Sequence, residues 1–118
     1  MINLNQMDLI VSDVPKATQV LASLLNLAVD CADEHFAQFT LGSHCLMVSD
    51  NPLKPITSLH GGIILHIEVD CVDKEVERLK SSGFTINNGP VKTAWGTYSV
   101  WVEGPEGVML DFYQFSED

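Results

Sequence analysis

Two stretches of sequence decide the fold of this chain: MDLIVSDVPK at residues 7–16 and LHIEVDCVDK at residues 65–74. Each begins with the apolar and polar alternation of a half-buried strand and then changes to the pattern of a helix start. Alignment of the two stretches matches Val11 with Val69, Val14 with Val72 and Lys16 with Lys74. Because the same change from strand to helix recurs at both places, we predict an internal repeat.

The first copy of the repeat is predicted to be a strand, a helix and two further strands within about residues 1–50. A strand over 4–11 ends at the sequence SDVP, which supplies a helix cap and a proline suited to the first helical turn. The predicted helix has one apolar stripe at helical spacing, formed by Ala17, Val20, Leu21, Leu24 and Leu25. Two strands are predicted to follow, over 35–41 and 45–49.

The second copy is predicted within about residues 62–118. A strand over 63–70 leads into an amphipathic helix over 72–82, and three strands are expected at 84–87, 97–103 and 108–115. Prolines and glycines between the two copies predict a linker at 51–61. The length of 118 residues leaves no room for a second domain, so residues 1–118 are predicted to form one soluble α+β domain.

The charge of the chain restricts its partners. Sixteen acidic residues against six basic ones give a formal net charge of −10. This charge would repel phosphate backbones and anionic lipid, so neither nucleic acid nor a membrane surface is an expected partner. The excess carboxylates either keep the protein soluble or attract a cationic ligand.

Compartment is predicted from apolar runs and cysteines. No run approaches the roughly 20 apolar residues of a membrane span, and the first residues lack the features of a signal peptide. A cytoplasmic protein is therefore expected. Cys31, Cys45 and Cys71 are widely and irregularly spaced, which predicts reduced thiols in the core rather than disulfides or zinc ligands.

Strand periodicity predicts a polar sheet face on the side away from the helices. Its polar members are expected to be Gln6, Asp8, His66, Glu68, Asp111 and Tyr113. Apolar residues such as Ile64 and Met109 share that face, and this mixture is more typical of a ligand cleft than of a solvated surface. A face simply open to solvent is the alternative. Trp95 and Trp101 could line the same cleft, or they could only pack against neighbouring side chains.

The motifs together resemble the vicinal oxygen chelate superfamily, which includes glyoxalase I, bleomycin resistance proteins, fosfomycin-modifying enzymes and extradiol dioxygenases. The matching pieces are MDLIVSD at 7–13, HIEVD at 66–70, WG at 95–96 and GPEGVMLDFY at 104–113. The resemblance implies a single glyoxalase/bleomycin-resistance-like domain whose paired βαβββ modules form a cup-shaped mixed sheet, with helices outside. It also implies a homodimer, with the modules paired within one chain or exchanged between chains.

The resemblance further implies where metal ligands would lie. The four positions correspond to Gln6, Ile64, Asp111 and either Leu46 or Met47. Neither isoleucine, leucine nor methionine suits a hard or borderline divalent ion. No cofactor is therefore expected. The alternative is a divalent metal at a displaced site, held by Gln6, His66 and Asp111.

Two main functions follow from these features. The first is a non-catalytic, small-molecule-binding protein of the bleomycin-resistance type, in which Asp8, Glu68 and Asp111 attract a cationic ligand and aromatic rings stack on it: Trp95, Trp101 and Tyr113. The second is a glyoxalase-like lyase or isomerase, or a dioxygenase, that uses a displaced metal or His66 as general base. No catalytic residue is assigned under the first function. A purely structural dimerisation domain is a third class.

Overall fold

The computed structural model describes residues 4–50 and 63–116. The chain divides into two compact units, Met1–Ser58 and Leu59–Asp118. In each unit the described residues follow the order strand, helix, three strands, and the strands form one mixed sheet. This confirms the predicted α+β class and the repeated βαβββ module. The predicted linker at 51–61 lies outside the described residues.

The first unit has a sheet with the strand order β1-β4-β3-β2. Strand β1 pairs with β4 in parallel, and the other neighbours are antiparallel. Its elements are β1 Gln6–Ile10, α1 Val14–Leu25, β2 Cys31–Ala32, β3 Phe36–Leu41 and β4 His44–Ser49.

Helix α1 has signals for its start and end in its own sequence. The Asp13 side chain accepts a hydrogen bond from the Lys16 backbone N–H at 3.1 Å, and Pro15 lies in the first turn. The helix ends at Asn26, which takes the left-handed conformation with φ 54°. Its buried stripe packs on β3 and β4, and the core of this unit includes Leu9, Val14, Ala17, Leu21, Leu24, Phe39 and Val48.

The second unit repeats this arrangement with the strand order β5-β8-β7-β6. Strands β5 and β8 are parallel, and the remaining neighbours are antiparallel. The elements are β5 Ile64–Glu68, α2 Val72–Ser81, β6 Ile86–Lys92, β7 Thr97–Glu103 and β8 Met109–Phe115. A single turn of 3₁₀ helix at Pro105–Gly107 joins β7 to β8.

Helix α2 begins differently from α1, because its N-cap residue Cys71 provides no side-chain hydrogen bond. The backbone N–H of Val72 donates instead to Oε1 of Gln114, on strand β8, at 2.6 Å. The Tyr98 hydroxyl, on β7, also donates to Oδ1 of Asp73 at 2.7 Å. The first turn of α2 is therefore fastened to the sheet by side chains that are distant in the sequence.

Three sequence predictions need correction. Strand β6 covers Ile86–Lys92 instead of 84–87, because the turn signal NNGP is accommodated inside the strand as shifts of register against β7. Strand β2 was not predicted, since two residues are too few to give a period. The cysteines are free but not in the core: Cys31 is exposed and Cys45 and Cys71 are half-buried.

Two further observations concern surfaces. Met7, predicted to face the helix, is exposed, whereas Leu9 and Val11 of the same stretch are buried as expected. Neither α1 nor α2, the helices of the described ranges, is long and apolar enough to cross a membrane.

Candidate functional site

The register of the second sheet determines which side chains share the face that points away from helix α2. His66 lies opposite Asp111 on β8, and Asp111 lies opposite Trp101 on β7. One pleat further along, Glu68, Tyr113 and Ser99 are aligned in the same way. Residues directly opposite each other on paired strands point to the same side. We call this surface the His66 face, and its residues are Ile64, His66, Glu68, Ser99, Trp101, Met109, Asp111 and Tyr113.

The other side of the same sheet is covered by helix α2, which contacts β6, β7 and β8. The alternate residues of the three strands are buried there, namely Leu65, Val100, Val102, Leu110 and Phe112. The predicted split between a helix side and a polar side is therefore present in this unit.

At the centre of the His66 face, the side chains of His66 and Asp111 lie within ion-pair distance of each other. Nδ1 of His66 lies 2.8 Å from Oδ2 of Asp111. The histidine side chain is 61% exposed, whereas the aspartate side chain is 5% exposed. Oδ1 of Asp111 is buried and has no hydrogen-bond partner among the described residues. A buried carboxylate oxygen without a donor is costly, and Oδ1 of Asp111 therefore has acceptor capacity that no described residue uses.

The pair also determines which ring nitrogen is available. An ionised carboxylate can only accept hydrogen bonds, so with Asp111 ionised the hydrogen of this contact would be on Nδ1 of His66. In the neutral imidazole the remaining nitrogen, Nε2, then has a free lone pair. The ring of Tyr113 meets the imidazole edge to face, with centroids 6.4 Å apart, and itself meets Phe115 at 5.7 Å. One nitrogen of the His66 imidazole is therefore engaged with Asp111, and the ring has Tyr113 as an aromatic neighbour.

The structure brings most of the predicted site residues of the second unit together. His66 and Asp111 are bonded, Trp101 and Tyr113 are half-buried beside them, and Glu68 is exposed on the same face. Trp95 is separate from the strands, on the turn between β6 and β7, and is 71% exposed.

Gln6 and Asp8 belong to the first unit, where both are exposed on strand β1. Gln6 is paired with Cys45 and Asp8 with Met47. Met47 therefore shares the face of Asp8, whereas Leu46 is buried on the helix side. Of these two residues, Met47 is therefore the one that shares a face with Gln6 and Asp8.

The residues present do not fit the four-ligand metal site that the resemblance implies. Ile64 has only a hydrocarbon side chain, and Met47 offers a soft thioether. Within residues 4–50 and 63–116, no group of three or more His, Cys, Asp or Glu side chains could hold a metal ion.

Sequence reasoning missed a line of hydroxyl groups next to the site. The Thr97 hydroxyl lies 2.8 Å from that of Thr93 and 2.9 Å from that of Ser99, and Thr97 and Ser99 are buried. The backbone N–H of Thr97 also donates to the Thr93 hydroxyl at 3.1 Å. These bonds fix the turn that presents Trp95. The alternation of residues 97, 99 and 101 along β7 was a signal that could have found them.

A cavity of about 420 Å³ lies at the junction of β5 and α2. It is open and mostly polar, and its lining residues are Glu68, Val69, Asp70, Cys71, Lys74 and Glu75. Only Glu68 belongs to the His66 face as well. A charged hollow of this kind differs from the mainly apolar pockets that hold most small molecules.

The fold and the site together define a class of protein built from repeated βαβββ units with a polar sheet face. The model of the Glyoxalase/Bleomycin resistance protein/Dioxygenase superfamily matches residues 3–112. The chain therefore belongs to this superfamily. A search of curated proteins found no relative that matches the chain.

Solved structures agree with this assignment. One described as a conserved domain protein is 49% identical, with a TM-score of 0.91 over 98% of this chain and 100% of that chain. TnmS3, an antibiotic binding protein from Streptomyces sp. CB03234, is 23% identical, with a TM-score of 0.76 over 98% of both chains. Lactoylglutathione lyase from Agrobacterium tumefaciens is 16% identical, with a TM-score of 0.77 over 95% of this chain and 92% of that chain. The last two similarities establish the fold alone.

Proposed function

We propose that this chain is a small-molecule-binding protein of the bleomycin-resistance type, which takes up a cationic or aromatic ligand without the usual metal. It acts in the cytoplasm as a homodimer. The observation that carries the proposal is Asp111: a buried carboxylate with one oxygen lacking a donor, on a face that also presents Trp101 and Tyr113. A ligand amine or amidine would supply that donor, and its flat portion would stack on the rings.

Charge supports a cationic ligand. Glu68 adds a second carboxylate to the His66 face, and the chain as a whole has a net charge of −10. A surface of one sign raises the local concentration of an oppositely charged ligand and speeds its association. The family supports the same reading, because the similar protein from Streptomyces is named as an antibiotic binding protein.

The alternative of a lyase, isomerase or dioxygenase with a displaced metal has less support. It would need Gln6, His66 and Asp111 as ligands, and the second unit supplies only two of them, His66 and Asp111. Sequestration of a ligand requires no metal ligands, so a binding protein can function without the metal site of the family.

The experiment is a binding panel of cationic aromatic compounds, bleomycin among them, with neutral and anionic aromatic compounds of similar size as controls. Tryptophan fluorescence and thermal shift report binding. We expect cationic members to quench fluorescence and raise the melting temperature, and we expect their affinity to fall as salt increases. The proposal is wrong if no cationic aromatic compound produces either signal.

A pair of variants locates the binding surface. Glu68→Gln removes a carboxylate from the His66 face with little change of shape, and it should weaken binding by up to about fivefold, the range of an exposed ion pair. Glu77→Gln removes an exposed carboxylate on α2 and should leave affinity unchanged. Equal losses in both variants would mean that only the net charge attracts the ligand.

A further inference from the structure

The His66 face changes its chemistry along strand β8. Asp111, Tyr113 and Phe115 follow one another on the same side of that strand, since alternate residues of a strand share a face. Asp111, at the first of these positions, is buried, whereas Phe115, at the last, is 65% exposed. The face therefore has a charged end at Asp111 and an exposed apolar end at Phe115, which we call the Phe115 end.

The ring of Tyr113 connects the two ends of this row. It meets the ring of Phe115 edge to face, with centroids 5.7 Å apart. An aromatic pair of this geometry is a favourable contact, so it holds the Phe115 ring in place although solvent reaches most of that residue. Aromatic surface therefore continues from the neighbour of Asp111 to the Phe115 end.

A second exposed ring, that of Trp95, belongs to the turn next to the Phe115 end. Thr97, at the end of this turn, lies opposite Phe115 in the pairing of β7 with β8. The backbone N–H of Ser116 also donates to the carbonyl of Gly96 at 2.9 Å. These contacts and the line of hydroxyl groups fix the turn against the end of β8. The backbone of Trp95 is therefore held close to Phe115, although the residue itself is largely exposed.

Two large exposed rings at one fixed place provide apolar surface that a ligand can remove from water. We propose that the Phe115 end is a second subsite, which binds the flat apolar end of an elongated organic cation whose charged group lies at Asp111. Four residues of strand separate these two positions, so the charge and the flat group of the ligand are about 13 Å apart. The inference rests on the proposed function and adds to it the length of the ligand and its apolar end.

Charge favours a cationic ligand over a second copy of this chain as the occupant. Strands β5, β7 and β8 contain the acidic residues Glu68, Glu103 and Asp111 but no lysine or arginine. A two-fold contact through this face would bring the same acidic surface together from both copies, each with a net charge of −10. An organic cation is complementary to the carboxylates, and its flat end covers the exposed rings.

The test uses two fluorescent amines that differ only in length. The pentamethylene chain of dansylcadaverine lets its ammonium group and its naphthalene ring reach both ends of the row together, whereas the ethylene chain of dansylethylenediamine is too short. We expect the longer amine to bind the wild-type protein at least about fivefold more tightly, as measured by titration of dansyl fluorescence. N-acetyl-dansylcadaverine has the same chain without the charge and should bind more weakly than its parent amine.

Variants locate the subsite. Phe115→Ala and Trp95→Ala should each lower the affinity for dansylcadaverine about fivefold and leave that for dansylethylenediamine unchanged. Leu27→Ala is the control, because it removes an exposed apolar side chain that follows helix α1 in the first unit, and it should change neither affinity. If a variant does not fold, the ratio of the two affinities in the wild-type protein still decides.

The outcomes separate this inference from the proposed function. Equal affinities for the two amines would overturn the second subsite and leave the proposed function in place. Equal affinities for dansylcadaverine and its acetylated form would overturn both, since neither would then involve the positive charge. A Phe115→Ala protein that loses self-association but keeps its affinity would assign the Phe115 end to a contact between copies, which also overturns the subsite.

Discussion

At the scale of residues, the bond between His66 and Asp111 joins positions 45 apart in the sequence. The period of the strands predicted that both would lie on one face. It did not predict the bond, because a parallel strand pair can slide by two residues without moving any side chain to the other face. The burial of Asp111 also could not be predicted from the sequence, since it depends on the side chains that β5 and β7 place on either side of β8.

The exposed pair, His35 and Asp50, gives a prediction on pH. The hydrogen bond to Asp50, and then its negative charge, raise the pKa of His35 above the ordinary 6.5. We expect Asp50→Asn to lower the pKa of His35 back toward 6.5, as measured by titration of the His35 ring resonances in NMR spectra.

The sign of the accompanying stability effect follows from linkage. A histidine whose pKa is raised in the folded state contributes stability that is fully present below its unfolded pKa and is lost as pH rises through its folded pKa. The stability advantage of the wild-type protein over Asp50→Asn should therefore be present in mild acid and absent above the folded pKa. An advantage that grows with rising pH would contradict the assignment.

Two glycines with positive φ give a matched pair for a stability test. Gly89, in β6, has φ +88°, and a Cβ added there would lie 2.6 Å from the backbone oxygen of Ser99. Gly42, in the turn before β4, has φ +59°, and an added Cβ would meet nothing within 4 Å. Gly42→Ala should cost about 1 kcal/mol for the left-handed backbone alone, whereas Gly89→Ala adds a clash with backbone and should cost more than about 2 kcal/mol.

Urea unfolding of the two alanine variants measures both free energies. The difference between them is the informative quantity, because each variant carries a positive φ and only one carries a clash. Equal losses would show that β6 relaxes away from Ser99 at little cost, which would contradict the close packing at the register shift.

At the scale of elements, the two helices show what local sequence can reveal. The start of α1 was predicted from the sequence SDVP, and the Asp13 side chain does cap it. The cap of α2 could not be predicted, because Gln114 is 42 positions away and reaches Val72 only after β8 has joined the sheet. Strand β6 was misplaced for a related reason: a local turn signal was overruled by pairing with β7.

The caps lead to a prediction on two matched variants. Gln114→Ala and Asp13→Ala each remove one acceptor from a helix start, and each should cost about 1 kcal/mol in the free energy of unfolding. Hydrogen exchange distinguishes them: the first-turn amides of α2 should exchange faster only in the Gln114 variant, and those of α1 only in the Asp13 variant. Faster exchange at α1 in the Gln114→Ala protein would contradict this assignment.

At the scale of the whole molecule, the repeat was the most predictable feature. Two copies of one strand-to-helix pattern predicted two modules, since each apolar stripe must find a sheet to cover. The chemistry was less predictable, because the two copies differ at equivalent positions on the polar face. Gln6 in the first copy corresponds to Ile64 in the second. The face could be predicted from period alone, and so could the alignment of Thr97 and Ser99 along β7, whereas the contact from Thr93 depends on the shape of a turn.

The same asymmetry gives a prediction on metal. The resemblance places two of the family's ligand positions at Ile64 and at Leu46 or Met47, so we expect protein purified without chelators to hold no stoichiometric Ni, Zn, Mn or Fe. Treatment with EDTA should change neither the melting temperature nor the affinity for a cationic ligand. Elemental analysis and a thermal scan check this. A stoichiometric metal that is lost together with stability would overturn the metal-free binder.

The parallel pairing of β5 with β8 also has a consequence for folding kinetics. The first and last strands of the second unit must meet before either can complete the sheet, so this unit depends on contacts of long sequence separation, which fold slowly. The bond between His66 and Asp111 and the cap from Gln114 to Val72 both require that closure. Protection of the Val72 amide from hydrogen exchange during refolding should therefore lag behind the appearance of helix in circular dichroism, because it requires Gln114 on β8 to be in place.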